Sequence, residues 1–290
     1  MVTKYMKNYQ EGLVGVFGDP VDENPSVVIE QAAFDACEVP FRYLTIKVRA
    51  QDLGQAMAGM RAMNFKGINL TMPHKLHVLQ YLDEIAEDAQ IMGAVNTVFF
   101  KDGRLRGENT DGKGFMMSLK NGGIETKGKK VVILGAGGVA RAITVELANA
   151  GVKNIIIVNI IPDQGKELAA LLNEKTSAAA EFIFWDGAYS VPLDADILVN
   201  ATSVGFDDMS ARPNIVYDTL RPSMVVCDVI PNRLKTPFLE EAAKRGCKTF
   251  NGLQMLVNQG ALGFELWTGQ KAPIDVMLAA LKKEYGFVEN

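Results

Sequence analysis

Residues 130–151 read KVVILGAGGVARAITVELANAG, a β-branched apolar run that breaks into glycines and resumes as an amphipathic pattern. Lys130–Gly135 has the continuous apolar character of a strand buried on both faces. The spacing predicts a helix over 139–151. Between them, Gly135-Ala136-Gly137-Gly138-Val139-Ala140 fits G-x-G-x-x-[GA]. The first glycine permits a tight turn, and the second lets a pyrophosphate approach the backbone. Ala140 is small enough for the helix to pack close to the strand. Phosphates would then sit at the helix N-terminus, where free N–H groups and the dipole favour anions. A glycine triplet alone is weak evidence; between a strand and a helix it marks a dinucleotide-binding βαβ unit. Gly135, Ala136, Gly137, Gly138 and Val139 are the expected cradle, against the blander reading of a glycine turn that holds nothing.

The same rhythm runs outward in both directions. Toward the C-terminus, strands are expected at 154–160, 180–185, 196–202, 224–229 and 247–250, with a helix at 236–246. Apolar strands alternating with amphipathic helices specify an α/β parallel sheet covered on both faces. Toward the N-terminus, strands are expected at 13–17, 41–48, 67–72 and 94–100. Helices are expected from Ser26, a candidate cap, over 53–65, over 74–82 after Pro73, and over 83–92. Lys101-Asp102-Gly103 reads as a hairpin turn. The polar, glycine-rich KNGGIETKGKK at 120–130 is the best break near the middle. Two helical patterns, 253–269 and 272–286, close the chain. With about 150 residues per domain, 290 residues make roughly two domains.

Composition narrows the class. Hydrophobic residues make up 48%, enough for a core without staples. Thirty basic against 34 acidic residues leave a net charge of −4 with no basic block, so nucleic acid and membrane surfaces have no electrostatic support as partners. Cys37, Cys227 and Cys247 are odd in number and widely spaced, which reads as free thiols in a reducing, cytoplasmic compartment. His74 and His77 lack cysteine partners at ligand spacing, and no metal is expected. Leu13–Phe17 is too short for a signal core, and no run approaches the length of a membrane span. The expected partner is a small-molecule substrate. A monomer or homodimer is expected, the dimer resting on symmetry base rates.

The end of the second strand of the βαβ unit normally selects the cofactor. A carboxylate there holds a ribose 2′-OH, and an arginine takes a 2′-phosphate. This chain has Asn159-Ile160-Ile161-Pro162-Asp163, with no Arg or Lys before Lys166. NAD is therefore expected over NADP, with Asn159 on the ribose or adenine edge. Asp163 is a candidate for the 2′-OH, and equally an acidic first turn of a helix opened by Pro162.

Five further stretches place polar groups at strand ends or in the C-terminal segment: Asn69-Leu70-Thr71-Met72-Pro73-His74-Lys75, Gly93-Ala94-Val95-Asn96-Thr97, Asn109-Thr110-Asp111-Gly112, Asn200-Ala201-Thr202-Ser203-Val204-Gly205 and Gly252–Gln259. In order and spacing, over about residues 13–270, they resemble the shikimate dehydrogenase family, its quinate-using relatives included. The resemblance implies an N-terminal α/β substrate domain, 1–112, completed by C-terminal helices, 253–290. A Rossmann domain with a doubly wound parallel sheet would occupy 113–252. It also implies reversible hydride transfer between a nicotinamide, NAD or NADP, and a ring hydroxyl or ketone of a cyclic polyhydroxy acid such as shikimate or quinate. Lys75 falls at the catalytic lysine of the family and Asp111 at its partner. Hydride leaves carbon as the hydroxyl loses its proton, so a positioned acid/base accelerates the step, by roughly 10²–10⁴-fold. Read blandly, Lys75 is a solvated cation at a helix start, where the dipole opposes it, and Asp111 is a helix cap. Asn24, Ser26, Thr71, Asn96 and Gln259 fall at substrate-binding positions. Thr202, Ser203, Val229 and Gly252 fall at positions lining the nicotinamide.

Three departures stand out. The family pattern H-S-x-S-P is here Glu23-Asn24-Pro25-Ser26-Val27, so an amide replaces one hydroxyl and Glu23 adds a charge. Asn24 still donates through its amide but is bulkier. Pro231 stands where the family has a tyrosine hydroxyl. Asn159-Ile160-Ile161 stands where NADP-linked members carry Asn-Arg-Thr. The reaction class is thus retained while the substrate stays open. Two other readings remain: a same-fold dehydrogenase for another hydroxylated substrate, such as a folate-linked one, and a non-catalytic dinucleotide sensor, which needs neither Lys75 nor Asp111.

Overall fold

Apolar runs from the two halves of the chain build two separate six-stranded sheets in a computed structural model that describes residues 9–287. The outermost parts of the expected substrate-domain segments, 1–8 and 288–290, lie outside the described residues. The first sheet contains β1 (Gly12–Gly18), β2 (Phe41–Lys47), β3 (Gly67–Leu70), β4 (Glu84–Ile85), β5 (Thr97–Lys101) and β6 (Arg104–Glu108), in the order β2-β1-β3-β5-β6-β4. The helices α1 (Ser26–Ala36), α2 (Leu53–Ala62), α3 (His74–His77) and α4 (Glu87–Met92) connect them. β1 runs parallel to β2 and β3, whereas β5 is antiparallel to β3 and β6. Asp102 and Gly103, at φ 52° and 76°, form the two-residue hairpin turn between β5 and β6, where left-handed residues match the strand twist. This alternation has a consequence for the site. The end of β3, the start of β5 and the end of β6 lie together, with Asn69 paired to Thr97 and Thr97 to Glu108.

After α5 (Asp111–Asn121) the chain forms the second sheet: β7 (Lys130–Leu134), β8 (Asn154–Asn159), β9 (Ala179–Phe184), β10 (Ile197–Asn200), β11 (Val225–Asp228) and β12 (Lys248–Phe250). All pairs are parallel, in the order β12-β11-β10-β7-β8-β9. One face is covered by α5, α6 (Gly138–Asn149) and α7 (Pro162–Lys175), through Phe115, Ile143, Leu147, Leu168 and Leu172. The other carries α8 (Pro237–Lys244), through Phe238, Leu239 and Ala242. The strand order reverses between β7 and β10, which opens a crevice at their C-terminal ends, the usual ligand position in such sheets. Finally α9 (Gly252–Thr268) and α10 (Ile274–Glu284) return to the first sheet. There Val257, Phe264, Trp267, Met277 and Leu281 pack with Val14, Val16, Phe34 and Tyr43. No described helix is long and apolar enough to cross a membrane.

Four local expectations are corrected. Ser26 is the first residue of α1 and caps nothing; Pro25 holds the N-cap position. The helix expected over 83–92 resolves into β4 and α4, because Glu84 and Ile85 pair with β6 and extend the sheet. The helix expected over 74–82 is α3 followed by a tighter turn, Val78–Tyr81. The strand expected from 94 begins at Thr97, since the preceding residues leave the ladder and carry Asn96 into the site.

Candidate active site and cofactor crevice

Three loops converge where β3, β5 and β6 end or begin. Thr71 follows β3; its N–H donates to the Phe17 carbonyl at 3.0 Å and its carbonyl accepts from the His74 N–H at 2.9 Å. His74 is fully buried, its Nε2 2.7 Å from the Val48 carbonyl. Lys75 is fixed by its own carbonyl, which accepts from the Val95 N–H at 2.9 Å. Two backbone bonds and the buried His74 ring therefore tie α3 in place, and the Lys75 side chain leaves a fixed base. Its Nζ donates to Asp111 Oδ2 at 2.6 Å. The two side chains are 25% and 13% exposed, so the pair is shielded yet reachable.

Asp111 opens α5, where the helix dipole favours an anion. Its other oxygen, Oδ1, accepts from Asn96 Nδ2 at 2.9 Å, and its N–H donates to Asn109 Oδ1 at 3.1 Å. The carboxylate is thus oriented on both sides. Asn96 is a buried hub: its Oδ1 accepts from the Thr110 N–H at 2.7 Å, and its Nδ2 lies 3.4 Å from Gln259 Oε1. Gln259 is buried within α9 rather than on a helix surface, and its Nε2 donates to the Leu256 carbonyl. Asn96 therefore holds Asp111 directly, and Gln259 stands behind it, bonded to Asn96 and to its own helix.

The loop before α1 closes another side. Asn24 Oδ1 accepts from the Ser26 N–H at 3.0 Å, which pins the amide over the helix start. Glu23 is exposed. Ser26 is buried next to the Tyr43 hydroxyl, which donates to Asn69 Oδ1 at 2.8 Å; Asn69 Nδ2 in turn donates to Thr97 Oγ1. One turn beyond Ser26, Glu30 is fully buried with neither carboxyl oxygen bonded, and burial pushes its pKa well above the usual carboxylate range. Tyr43 and Glu30 carry no local sequence signal: the partner of Tyr43 is 26 positions away, and Glu30 has no bonded partner among the described residues. Thr110 lies inside the Asn109–Gly112 stretch but is not singled out there.

The crevice of the second sheet is a cavity of about 640 Å³. It brings together Gly135, Ala136 and Gly137 after β7, Asn159 at the end of β8, and Thr202 and Ser203 after β10. Gly135 has φ +103°, and a Cβ there would lie 2.9 Å from the Ala201 carbonyl. At Gly137 and Gly138 a Cβ would meet nothing, so the backbone is open to close approach. No side chain caps α6. An uncapped helix start above bare glycines fits a dinucleotide pyrophosphate. Asn159 Nδ2 donates to the Ile161 carbonyl and bends the chain away from β8.

Gly138, Val139, Asp163, Val229 and Gly252 are not in the cavity wall. Asp163 is exposed in the first turn of α7, which matches its plain structural reading. Val229 packs against the apolar core, and Gly252 sits so close to the Val229 carbonyl that any Cβ would collide. Trp185, Asp186, Arg212 and Asn214 do line the cavity and carried no sequence signal. They are assembled by the bridge Tyr189–Ile215 and by Trp185 Nε1 donating to the Asn214 carbonyl at 3.0 Å. At the end of β11, burial pushes Asp228 up to about 6. Its oxygens accept from Thr236 and Asn200, a clamp that sets the chain leading to Pro231.

The chain matches three family models: shikimate dehydrogenase substrate binding domain at residues 16–98, shikimate / quinate 5-dehydrogenase at 118–205, and shikimate 5'-dehydrogenase C-terminal domain at 252–282. It is 40% identical over 281 residues to the shikimate dehydrogenase (NADP(+)) of Desulforamulus reducens, covering 96% of this chain and 97% of that one. Among solved structures, the 5-ketofructose reductase of Gluconobacter sp. strain CHM43 superposes with a TM-score of 0.92 at 45% identity, covering 96% of this chain and 100% of that one. The shikimate 5-dehydrogenase of Listeria monocytogenes, in complex with shikimate and NAD, superposes with a TM-score of 0.88 at 34% identity, covering 96% and 99%.

Proposed function

The chain belongs to the shikimate/quinate dehydrogenase family, and on that premise we propose that it interconverts a hydroxyl and a ketone on a polyhydroxylated substrate, with Lys75 as general acid/base. The observation that carries this reading is the 2.6 Å contact from Lys75 Nζ to an Asp111 carboxylate fixed by Asn96. A bound nicotinamide dinucleotide supplies or accepts the hydride. In the reduction direction, Lys75 Nζ gives its proton to the ketone oxygen as negative charge builds there. In oxidation the same nitrogen takes the hydroxyl proton. Asp111 Oδ2 holds Nζ in place and balances its charge, so the base is pre-oriented before substrate arrives. The glycine turn Gly135–Gly138 and the start of α6 hold the pyrophosphate, with Asn159, Thr202 and Ser203 along the crevice. Asn24, Ser26, Thr71 and Gln259 bind substrate hydroxyls around the pair, while Asn96 mainly orients Asp111. The substrate unit spans 1–112 with 253–290, and the cofactor unit spans 113–252.

For the substrate, a cyclic acid of the shikimate or quinate type is the first reading. A second is favoured by the loop before α1. Asn24 replaces a hydroxyl and is pinned by the Ser26 N–H, Pro231 contributes no donor, and a buried carboxyl, Glu30, lies behind Ser26. A carboxylate is poorly served by that surface, whereas neutral hydroxyls both donate and accept there. The 45% identity to a 5-ketofructose reductase supports a neutral keto-sugar. The deciding experiment follows absorbance at 340 nm with NADPH and NADH against 5-ketofructose and 3-dehydroshikimate, and with NADP and NAD against fructose, shikimate and quinate. Turnover confined to the ring acids supports the first reading, and turnover confined to the keto-sugar pair the second. Absence of turnover from protein that binds NADPH would remove both substrate readings and point to another hydroxylated substrate.

A further inference from the structure

We propose that Arg212 supplies the cation that recognises an adenosine 2′-phosphate, making this chain prefer NADP(H) although the end of β8 carries no arginine. The inference rests on the dinucleotide-binding reading of the crevice and goes beyond it to cofactor choice. β8 ends in Asn159, Ile160 and Ile161; both isoleucines are exposed and line the cavity. They offer an apolar surface to a base but no charge to a phosphate. Among the residues lining that cavity Arg212 is the one cation, delivered from the segment between β10 and β11.

Its guanidinium is pre-positioned. It stacks over the Tyr217 ring, 4.6 Å from the centroid, and its side chain is 47% exposed. Three cations share the Glu241 carboxylate. Lys244 and Arg245 approach it to 2.7 and 2.8 Å, whereas Arg212 remains at 3.4 Å. Arg212 is thus the most weakly held of the three and keeps N–H donors for another anion. A planar guanidinium with free donors suits a phosphate, to which it can bond in a bidentate manner. Asp186 lines the same cavity and is its one acidic group. It opposes a dianion, so the preference hinges on Arg212 being in place.

The test measures binding rather than turnover. 2′,5′-ADP and 5′-AMP are titrated calorimetrically into the wild-type chain, Arg212→Gln and Arg212→Lys, with melting temperatures recorded for each. The wild type is expected to bind 2′,5′-ADP at least tenfold more tightly than 5′-AMP. Arg212→Gln is expected to lose that margin while 5′-AMP affinity stays within about twofold, and Arg212→Lys to recover only part of it. Equal binding of the two nucleotides by the wild type, or an undiminished preference in Arg212→Gln, overturns the inference and leaves the dinucleotide reading intact. Failure of both nucleotides and of NADH to bind overturns both.

Discussion

Lys75 shows how one side chain is given a fixed place by its anchorage. A lysine at the start of α3 opposes the helix dipole, so its position is not explained by helix stability. It is explained by the 2.6 Å contact with Asp111, itself oriented by Asn96. Lys75→Ala is expected to lower kcat by at least about 100-fold, within the range for general acid–base catalysis, with NADPH affinity nearly unchanged. Asp111→Asn keeps the shape but removes the counter-charge, and kcat is expected to fall with it. Steady-state rates at 340 nm and NADPH fluorescence titrations separate the two effects, and undiminished kcat in Lys75→Ala excludes Lys75 from the mechanism. This pair was legible in the sequence because each member lies inside a short motif. Tyr43, Glu30 and Arg212 were not. Tyr43 meets Asn69 across 26 positions, and Arg212 reaches the crevice from a segment with no regular structure. Asn159-Ile160-Ile161 carries no cation, yet the cavity wall draws on several strand ends, and its one cation comes from the segment between β10 and β11.

At the scale of elements, α4, α5 and α6 meet in a charged cluster that joins the two halves of the molecule. Lys113 of α5 contacts Asp88 of α4 at 2.8 Å and Glu108 at the end of β6 at 2.5 Å. Glu146 of α6 faces Asp88, and at Gly112 any Cβ would collide with the Ala142 carbonyl, so α5 and α6 touch closely. Burial first, and then the neighbouring Asp88 carboxylate, push Glu146 up to about 8 against its ordinary 4.5, although Lys113 acts the other way. A folded-state pKa above the unfolded value means that the native state binds the proton more tightly. The native state therefore loses stability as pH rises from about 4.5 to about 8, the loss being complete above that. Asp88, opposed by its burial but lowered on balance by Glu146 and Lys113, has the opposite sign, and its contribution is lost only at lower pH. Glu30 and Asp228 share the sign of Glu146, so the wild-type slope alone does not isolate it. Glu146→Gln does: its melting temperature is expected to fall less between pH 5.5 and pH 8.5 than that of the wild type. Parallel curves would show that Glu146 does not titrate across that contact. α6 was legible from period and composition, and α4 as part of the longer helix expected over 83–92, but the charge contacts were not, since Asp88, Lys113 and Glu146 belong to three separate elements.

For the whole molecule, the last helices decide whether the first sheet has a core. The parallel second sheet was legible strand by strand, because each strand is a continuous apolar run buried on both faces. The first sheet was harder: β4 has two residues, and the antiparallel β5–β6 hairpin interrupts the parallel rhythm. From the sequence, α9 was placed over this sheet only by family resemblance, since nothing local says where a C-terminal helix docks. In the structure Trp267 closes that contact. Its Nε1 donates to the Val98 carbonyl at 3.0 Å, its ring packs near Tyr43, and at Gly67 any Cβ would strike the indole. Eight positions earlier in the same helix stands Gln259, facing Asn96 in the hydrogen-bond network around Lys75 and Asp111. Docking α9 therefore both completes a core and presents a residue of the proposed site. Trp267→Ala is expected to destabilise the chain by about 3–5 kcal/mol, the usual cost of emptying a large aromatic site. Trp267→Phe keeps most of the volume but removes the indole donor to the Val98 carbonyl, and is expected to cost about 0.5–1.5 kcal/mol. Urea unfolding followed by far-UV circular dichroism gives both values. Substrate KM, measured where each variant stays folded, is expected to rise more in Trp267→Ala than in Trp267→Phe, because Gln259 moves with its helix. If Trp267→Ala loses less than about 1 kcal/mol, well below the range for such truncations, α9 is held by the surrounding aliphatic contacts and the indole is dispensable.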